Sequence, residues 1–482
     1  MKGWRSAAIA IALFGVGCAG LPQKQKPVQL TSAAPLDGLD IASGGDWPAK
    51  EWWKRYQDPT LDRLIELGLA SSPTLATAHA RYDSARQSVR VAGAESGVRV
   101  DANADAQRQR LSENGMFPPQ LLGFTWYNQF DLGVQASYTF DWWGKQRDAI
   151  EAAMDQAHAA QADHSAAALM LASSIADTYY GWQADQGRLA LARERAGVVE
   201  QEGAIAVARV KADLDAAENT DRSDLALGLA REQIAALEGS AKLRVVALAA
   251  LAGRSIAELP PLQAKPLPEL SGNLPDDVKI DLISRRADIT ASRWRVEAAE
   301  KNRDSARAEF FPDVTINGLL GLSSINAGKL LEYGSRVPQA TAAVHLPIFD
   351  AGRLKARFGA TQAAIDSAVA TYHDTVISAA RDVATQASTR AQIAAQRTQR
   401  AIEAEAARQL RRSAAARVTQ GITDARTELT AAESWIEQRD ALLQLDAAAL
   451  SADIGLQRAL GGGYESPQKL VNFQATATTT TP

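Results

Sequence analysis

Catalysis or metal binding needs nucleophiles, imidazoles or carboxylates gathered at fixed spacings, and this chain of 482 residues offers few such groupings. Its histidines are His79, His158, His164, His345 and His373. No two stand at the i, i+4 spacing that puts metal ligands on one helix face, and His158 and His164 are six apart. A single cysteine, Cys18, removes disulfide frameworks, zinc ribbons and iron–sulfur centres together. Dinucleotide and P-loop signatures are absent. The Arg285-Arg286 and Arg411-Arg412 pairs could touch phosphates, but 52 basic against 56 acidic residues leave a net charge of −4. Solvated helix faces are the better reading of both pairs, and nucleic acid is not an expected partner. The sequence therefore predicts no catalytic residue, no metal and no cofactor.

The one distinctive nucleophile lies at the end of a leader. Lys2 and Arg5 form a positive region, Ala7 to Val16 an apolar run, and small residues surround the break at Gly17 and Cys18. Such a segment is a cleaved signal peptide rather than an anchor. The run Phe14, Gly15, Val16, Gly17, Cys18 resembles a bacterial lipobox, with Gly15 where leucine is usual. Cys18 is thus the expected lipid attachment point, and Ala19 beside it is not an inner-membrane retention residue. Residues 18–46 read as an extended lipidated linker, and 466–482 as a disordered tail.

Between these ends the chain is written twice. Pro73 and Ala287, Ala94-Glu95 and Ala308-Glu309, and Val100 and Val314 correspond at an offset of 214. Phe140-Asp141 and Phe349-Asp350 correspond at 209, and Arg209-Val210 and Arg417-Val418 at 208. A unit this long is a duplicated half-protein, not a solenoid repeat. The expected parts are a first repeat over 47–265 and a second over 266–465.

Each half predicts helix, strand, loop, strand and a very long helical tract. Apolar and polar residues alternate over 98–107, 132–140, 314–322 and 340–348, the pattern of strands with unlike faces. Segments of about 9–11 residues suit tilted strands crossing a bilayer, and equally a half-buried soluble sheet. The aromatic group Tyr138, Phe140, Trp142 and Trp143 suits an interfacial belt or the packing of a strand–helix junction. No proline occurs from Gln120 to Leu259 or from Ile348 to Ser466, and alanine dominates both stretches. Leu171, Ile175, Tyr179 and Trp182 mark one buried stripe; Ile365, Val369, Tyr372, Val376 and Val383 mark another. Each tract must double back once, near Ala212-Asp213-Leu214-Asp215 and near Gln420-Gly421-Ile422.

Four strands cannot close a barrel, and a sheet in lipid cannot keep open edges. Three chains would pool twelve strands, an allowed number.

With that geometry the chain resembles the outer membrane factor family, the TolC-like ducts, in its lipid-anchored NodT-type branch. Trp47, Pro48, Trp52, Trp53, Tyr56, Asp58, Pro59, Leu61 and Leu64 carry the first part of the likeness. Arg285, Arg286, Asp288 and Ile289 carry the second, with Ala287 where proline is usual. The segments 306–312 and 347–353 carry the third. The resemblance implies a mainly helical homotrimer: a long antiparallel α-helical barrel joined to a transmembrane β-barrel of twelve strands. It implies an outer-membrane location reaching into the periplasm, a periplasmic adaptor and an inner-membrane transporter as partners, and export of small toxic compounds without catalysis. Heavy-metal efflux and type I protein secretion use the same architecture. A pore-less coiled-coil lipoprotein, its strands packed as a soluble sheet, is the alternative from another class.

The resemblance also places a periplasmic gate. Gly421 matches the glycine of the helix turn at the periplasmic tip, and the constriction follows it. The two places that carry acidic rings in the family hold Thr427 and Thr430 here. Asp424, Arg426 and Glu428 are then the charged replacements, as threefold rings or cross-chain ion pairs, against a plainer reading as solvated helix-end charges.

Overall fold

The structure is a computed structural model, and it describes residues 29–36, 45–114, 116, 118–270, 275 and 278–465. The leader, Cys18 and the tail 466–482 lie outside the described residues. Within the expected linker, Ala34 and Leu36 are buried.

After a 3-10 turn at Trp52–Tyr56, the chain forms α1 (Pro59–Ser71), α2 (Pro73–Glu95), β1 (Arg99–Arg110), β2 (Trp126–Phe140), α3 (Lys145–Lys211) and α4 (Glu218–Ala252). It then forms α5 (Val278–Arg285), α6 (Ala287–Ala308), β3 (Asp313–Ser324), β4 (Arg336–His345), α7 (Arg353–Thr419) and α8 (Ala425–Ala459). The two halves share one element order. Both α3 and α7 have 67 residues, and both α4 and α8 have 35.

The strands depart from the expected limits in a physically simple way. β2 begins at Trp126, six residues before the expected start, and runs for 15 residues. β4 ends at His345 and leaves Leu346 and Ile348 outside it, because Pro347 has no N–H to give a ladder.

The repeated Phe-Asp motif starts the long helices. Asp141 accepts the N–H of Arg147 (2.8 Å), and Asp350 accepts those of Gly352 (3.0 Å) and Leu354 (2.8 Å). In each half a carboxylate thus satisfies donors that the first helical turn leaves free.

By contacts the chain divides into two compact units. Among the described residues, one joins 82–160 to 292–372 and holds the sheet; the other joins 31–81, 161–291 and 373–465. The sheet runs β1-β2-β3-β4, every pair antiparallel. In this unit Glu309, at the end of the α6 turn, pairs with Lys145 (3.6 Å) and Arg357 (3.1 Å), the starts of the two long helices. Lys301 pairs with Glu151, and Trp143 stacks on Phe311 at 4.6 Å while donating to the Pro312 carbonyl (2.8 Å).

The second unit holds an aromatic-rich core. Trp52, Trp53, Tyr56, Leu61, Leu64 and Ile65 pack against Leu171, Ile175, Tyr179, Leu248, Leu450 and Ile454. The expected stripe on α3 is buried, and so is that on α7 apart from half-buried Val369. Helix α1 comes so close to α3 at Gly68 that a Cβ there would run into Ile175. Asp453, fully buried on α8, accepts the Tyr56 hydroxyl (2.8 Å) and faces Arg55 (3.8 Å) and Arg390 (3.6 Å). Burial, with that carboxylate beside it, pushes the Tyr56 phenol far above its ordinary range. Nearby, Asp58 caps α1 by accepting from Thr60 (3.0 Å) and takes bonds from Tyr179 (2.7 Å) and Lys265 (3.1 Å).

One expectation about charge is corrected here. Arg286 is not a solvated helix-face residue but is buried, donating to Asp288 (2.6 Å) and the Ala459 carbonyl (2.9 Å) and facing Asp382 (3.6 Å). Local charge balance did not reveal it, because two of those partners lie about 100 and 170 residues away. Arg285 and Arg411 stack over Trp47 (4.7 Å) and Trp435 (4.6 Å).

Candidate functional site

The first candidate surface is the sheet itself. Strand register sorts its side chains by chemistry. Val100, Ala102, Ala104 and Ala106 lie opposite Ala136, Val134, Leu132 and Phe130. The same row continues through Gly318, Leu320, Leu322 and Ile316 of β3 to Ala340, Pro338, Arg336 and Ala342 of β4. The other face carries Asp101, Asn103, Asp105 and Gln107, then Gln135, Asp131 and Gln129, then Asn317 and Thr315, then Gln339 and Thr341. Every residue of β1 and β4 is exposed, and no side chain of β2 or β3 is buried. A soluble half-buried sheet hides its apolar face against a core. This one leaves its apolar face bare, its polar face wet and both edges open.

The aromatic group expected at the strand end divides between its two readings. Trp143 packs the strand–helix junction as described. Tyr138, Phe140 and Trp142 run together along the apolar side at centroid separations of 5.0 and 5.6 Å, with Trp142 left largely exposed. At the far end of β2, Arg108 lies over the Trp126 ring at 5.6 Å.

The second candidate surface is the pair of helix turns, both in the helical unit. Helix α3 ends at Lys211 and α7 at Thr419, each in the same hydrogen-bond pattern. Leu214 donates to the Arg209 carbonyl and Asp213 to Val210; Ile422 donates to Arg417 and Gly421 to Val418. These are Schellman endings, which need one residue in the left-handed region. Gly421 fills that place with φ 69°, and its counterpart Asp213 with φ 55°. Both following apolar residues, Leu214 and Ile422, are about two-thirds exposed.

Each predicted gate residue can be placed. Asp424 is the N-cap of α8: its Oδ1 accepts the N–H and the hydroxyl of Thr427, both at 3.2 Å. Thr427 also meets the Thr423 hydroxyl at 2.8 Å. Arg426 faces Asp215 of the other turn at 3.8 Å, and Asp215 accepts from Arg209 at 2.7 Å. Glu428 is half-buried, and no ion pair is seen for it among the described residues. Thr430 donates toward Glu202 of α3, which also lies near Glu433 and Arg426.

The carboxylates here are held in opposite senses. The hydrogen bond from Arg209 holds Asp215 below its usual range. Burial first, then the Glu433 charge, pushes Glu202 up. Sequence reading missed Arg209, Asp215, Glu202 and Glu433 because their partners are more than 200 residues away or across a turn. Farther along, Arg188–Asp440 (2.8 Å), Arg195–Glu433 (2.7 Å) and Glu194–Arg439 (2.7 Å) continue one antiparallel seam between α3 and α8.

Long paired helices in one unit, and in the other a sheet with a lipid-compatible face, a wet face and open edges, are the parts that a β-walled membrane channel requires of its subunits. Among the described residues no helix is long and apolar enough to cross a membrane. The model of the outer membrane efflux protein family matches residues 64–254 and 281–462, and the chain belongs to that family. The multidrug resistance outer membrane protein MdtP of Escherichia coli K12 is 32% identical over 451 residues, covering 92% of each chain. MdtQ of Escherichia coli O6:H1, similarly named, is 29% identical over 474 residues, covering 95% of this chain and 98% of that one. Among solved structures, the outer membrane protein VceC of Vibrio cholerae superposes with a TM-score of 0.78 at 30% identity, covering 87% of this chain and all of that one. The outer-membrane channel OprN superposes with a TM-score of 0.82 at 25% identity, covering 92% and 99%. The protein is thus an efflux channel subunit of the outer membrane.

Proposed function

We propose that three copies pool their strands into a twelve-stranded barrel and their long helices into a periplasmic duct. An inner-membrane transporter supplies the energy, a periplasmic adaptor makes the junction, and small toxic compounds leave through the wet lumen. The chain contributes a conduit and a gate, not a catalytic step. The observation that carries this reading is the sheet: two exposed faces of opposite polarity and two open edges, a state that a single chain cannot keep in lipid. On β2 the apolar row from Phe130 to Tyr138 spans eight residue steps, on the order of 26 Å along the strand, close to the apolar band of such barrels. Tyr138, Phe140 and Trp142 at one end and Trp126 with Arg108 at the other supply its interfacial belts. The relatives named for multidrug resistance favour small amphiphilic cargo over metal ions or proteins. A pore-less lipoprotein would need a covered sheet face, and this sheet has none.

Three further parts belong to the same reading. Residues 1–17 are a signal peptide, Cys18 carries lipid at the head of the 18–46 linker, and 466–482 form the tail. Residues 47–265 and 266–465 are duplicated halves, supported by the equal lengths of α3 and α7 and of α4 and α8. The gate is the turn region: Asp424 and Thr427 fix the start of α8, Arg426 ties it to the neighbouring turn, and Thr430 meets Glu202. Glu428 remains for the lumen, and exposed Leu214 and Ile422 offer the adaptor an apolar tip. Planar-bilayer recording of the purified protein tests this function. Discrete conductance steps are expected, and a protein that never conducts would overturn the duct.

A further inference from the structure

The trimeric reading leaves open which residues meet where one copy joins the next, and the internal repeat answers that. Within one chain the halves meet where β2 pairs with β3, with Ala136 opposite Gly318 and Ser137 opposite Asn317. Around a closed barrel the other junction of the same kind is β4 of one protomer against β1 of its partner. The first half maps onto the second by 214 from β1 to β3 (Val100 to Val314). Because Val100 lies opposite Ala136 and Val314 opposite Val344, β2 maps onto β4 by 208, the offset that also carries Lys145 to Arg353. The 209 of the Phe-Asp motif applies only where Pro347 has already ended β4. Both offsets are even, so both keep apolar residues on the apolar face. Moving Ala136 forward by 208 and Gly318 back by 214 sets Val344 opposite Ala104. The same move takes Ser137 and Asn317 to His345 and Asn103.

The mapping also carries an ion pair. Within the chain, Lys145 at the start of α3 meets Glu309 at 3.6 Å. Their images are Arg353 and Glu95, again one base and one acid. Glu95 is exposed and no ion pair is seen for it among the described residues; Arg353, also exposed, makes only a 3.9 Å contact with Asp350. The rest of the junction is not kept. Trp143 and Phe311 map to Ala351 and Gly97, and Lys301 and Glu151 map to Gln87 and Gly359. A charge pair retained where its neighbours are lost marks these two positions.

We propose that β4 of one protomer pairs with β1 of its partner in the register Val344 opposite Ala104, closed at the helix ends by an ion pair between Arg353 of the first and Glu95 of the second. This rests on the trimeric reading and specifies its joint. The junction between copies is the sparser of the two, with one ion pair and no aromatic stack, so it parts first on heating.

Paired cysteines in the full-length protein test the register. Adjacent cross-strand pairs alternate between hydrogen-bonded and non-bonded geometry, so Val344→Cys with Ala104→Cys and His345→Cys with Asn103→Cys sample both kinds. Controls pair His345→Cys with Asp101→Cys or Asp105→Cys, displaced by two residues and beyond easy disulfide reach. The unaltered chain, with Cys18 alone, is the blank. Mild oxidation should convert most of the protein to covalent dimers and trimers for at least one in-register pair and little of it for the controls. Stronger linkage in a displaced pair overturns the register while light scattering still shows a trimer; a monomer by light scattering overturns the trimeric reading as well. For the ion pair, Glu95→Arg should lower the temperature at which the trimer dissociates in SDS, and adding Arg353→Glu should restore it. A double variant as labile as the single one, or no loss in the single one, overturns the pair.

Discussion

The sheet and the helical unit treat their side chains in opposite ways. In the helical unit, chemistry closes within one chain: Tyr179 and Leu61 are fully buried, Asp453 has Tyr56, Arg55 and Arg390 around it, and each turn is completed by its own residues. In the sheet, apolar residues of the same kinds stand bare, Leu320 at 69% and Val344 at 62% exposed, and the edge strands lack partners. Assembly between copies begins at the sheet. The helical unit's stability is a property of the chain, whereas the sheet's is a property of the membrane and of other copies.

Substitutions in the two units should therefore fail in different ways. The largest effect is expected inside the helical core. Asp453→Ala takes the carboxylate from the buried Tyr56 hydroxyl and from half-buried Arg390 and should cost about 3–5 kcal/mol, read as a lower denaturation midpoint that does not depend on protein concentration. Next, Leu320→Arg on the apolar sheet face should cost about 2–4 kcal/mol in a bilayer and abolish the heat-resistant oligomer, while helical content by circular dichroism stays. Gln135→Arg, on the polar face, should leave the oligomer intact. If the two arginines behave alike, the assignment of faces is wrong.

Smaller effects lie at the turns. Asp424→Ala should cost about 1 kcal/mol as a lost cap, whereas Asp424→Asn keeps the cap and removes only the charge. Conductance raised by both variants makes the Asp424 charge part of the constriction; conductance raised only by alanine makes the cap responsible. Glu428→Ala should raise conductance without destabilising the helix.

The turns also carry a pH dependence of two signs. Glu202 has a raised folded-state pKa, so its charged form is the disfavoured one there. Tip stability should therefore fall as pH rises from the ordinary glutamate range through that raised value, and conductance should rise with it. Asp215 is held low by Arg209, so its contribution is present above the ordinary aspartate range and is lost only as pH falls through the lowered value. Bilayer conductance titrated from neutral to acid should show closure first, and Glu202→Gln should remove that step. The smallest change is Asp213→Gly, which frees a left-handed position and should stabilise the first turn by about 0.5–1 kcal/mol, as judged by hydrogen exchange.

Much of this architecture was legible because it rests on local rules. Proline-free, alanine-rich tracts announced the long helices, the lone Gly421 announced one turn, and period-two alternation announced all four strands and their faces. Strand ends were less legible, since Pro347 cuts β4 where the alternation continues. The tip chemistry was only half visible. Asp424 followed by Thr427 is a local capping pattern, but Arg426 meeting Asp215 depends on a fold that brings together residues some 210 positions apart. Arg286 shows the same limit, buried by partners that no local window contains.

Completion of the sheet by other copies underlies the whole assembly. The protein mass of the mature chain in mild detergent, by light scattering with the detergent contribution removed, tests it most directly. The expected result is three times the mass of one chain, unchanged by dilution. A stable monomer would leave four strands with nowhere to close and would contradict it.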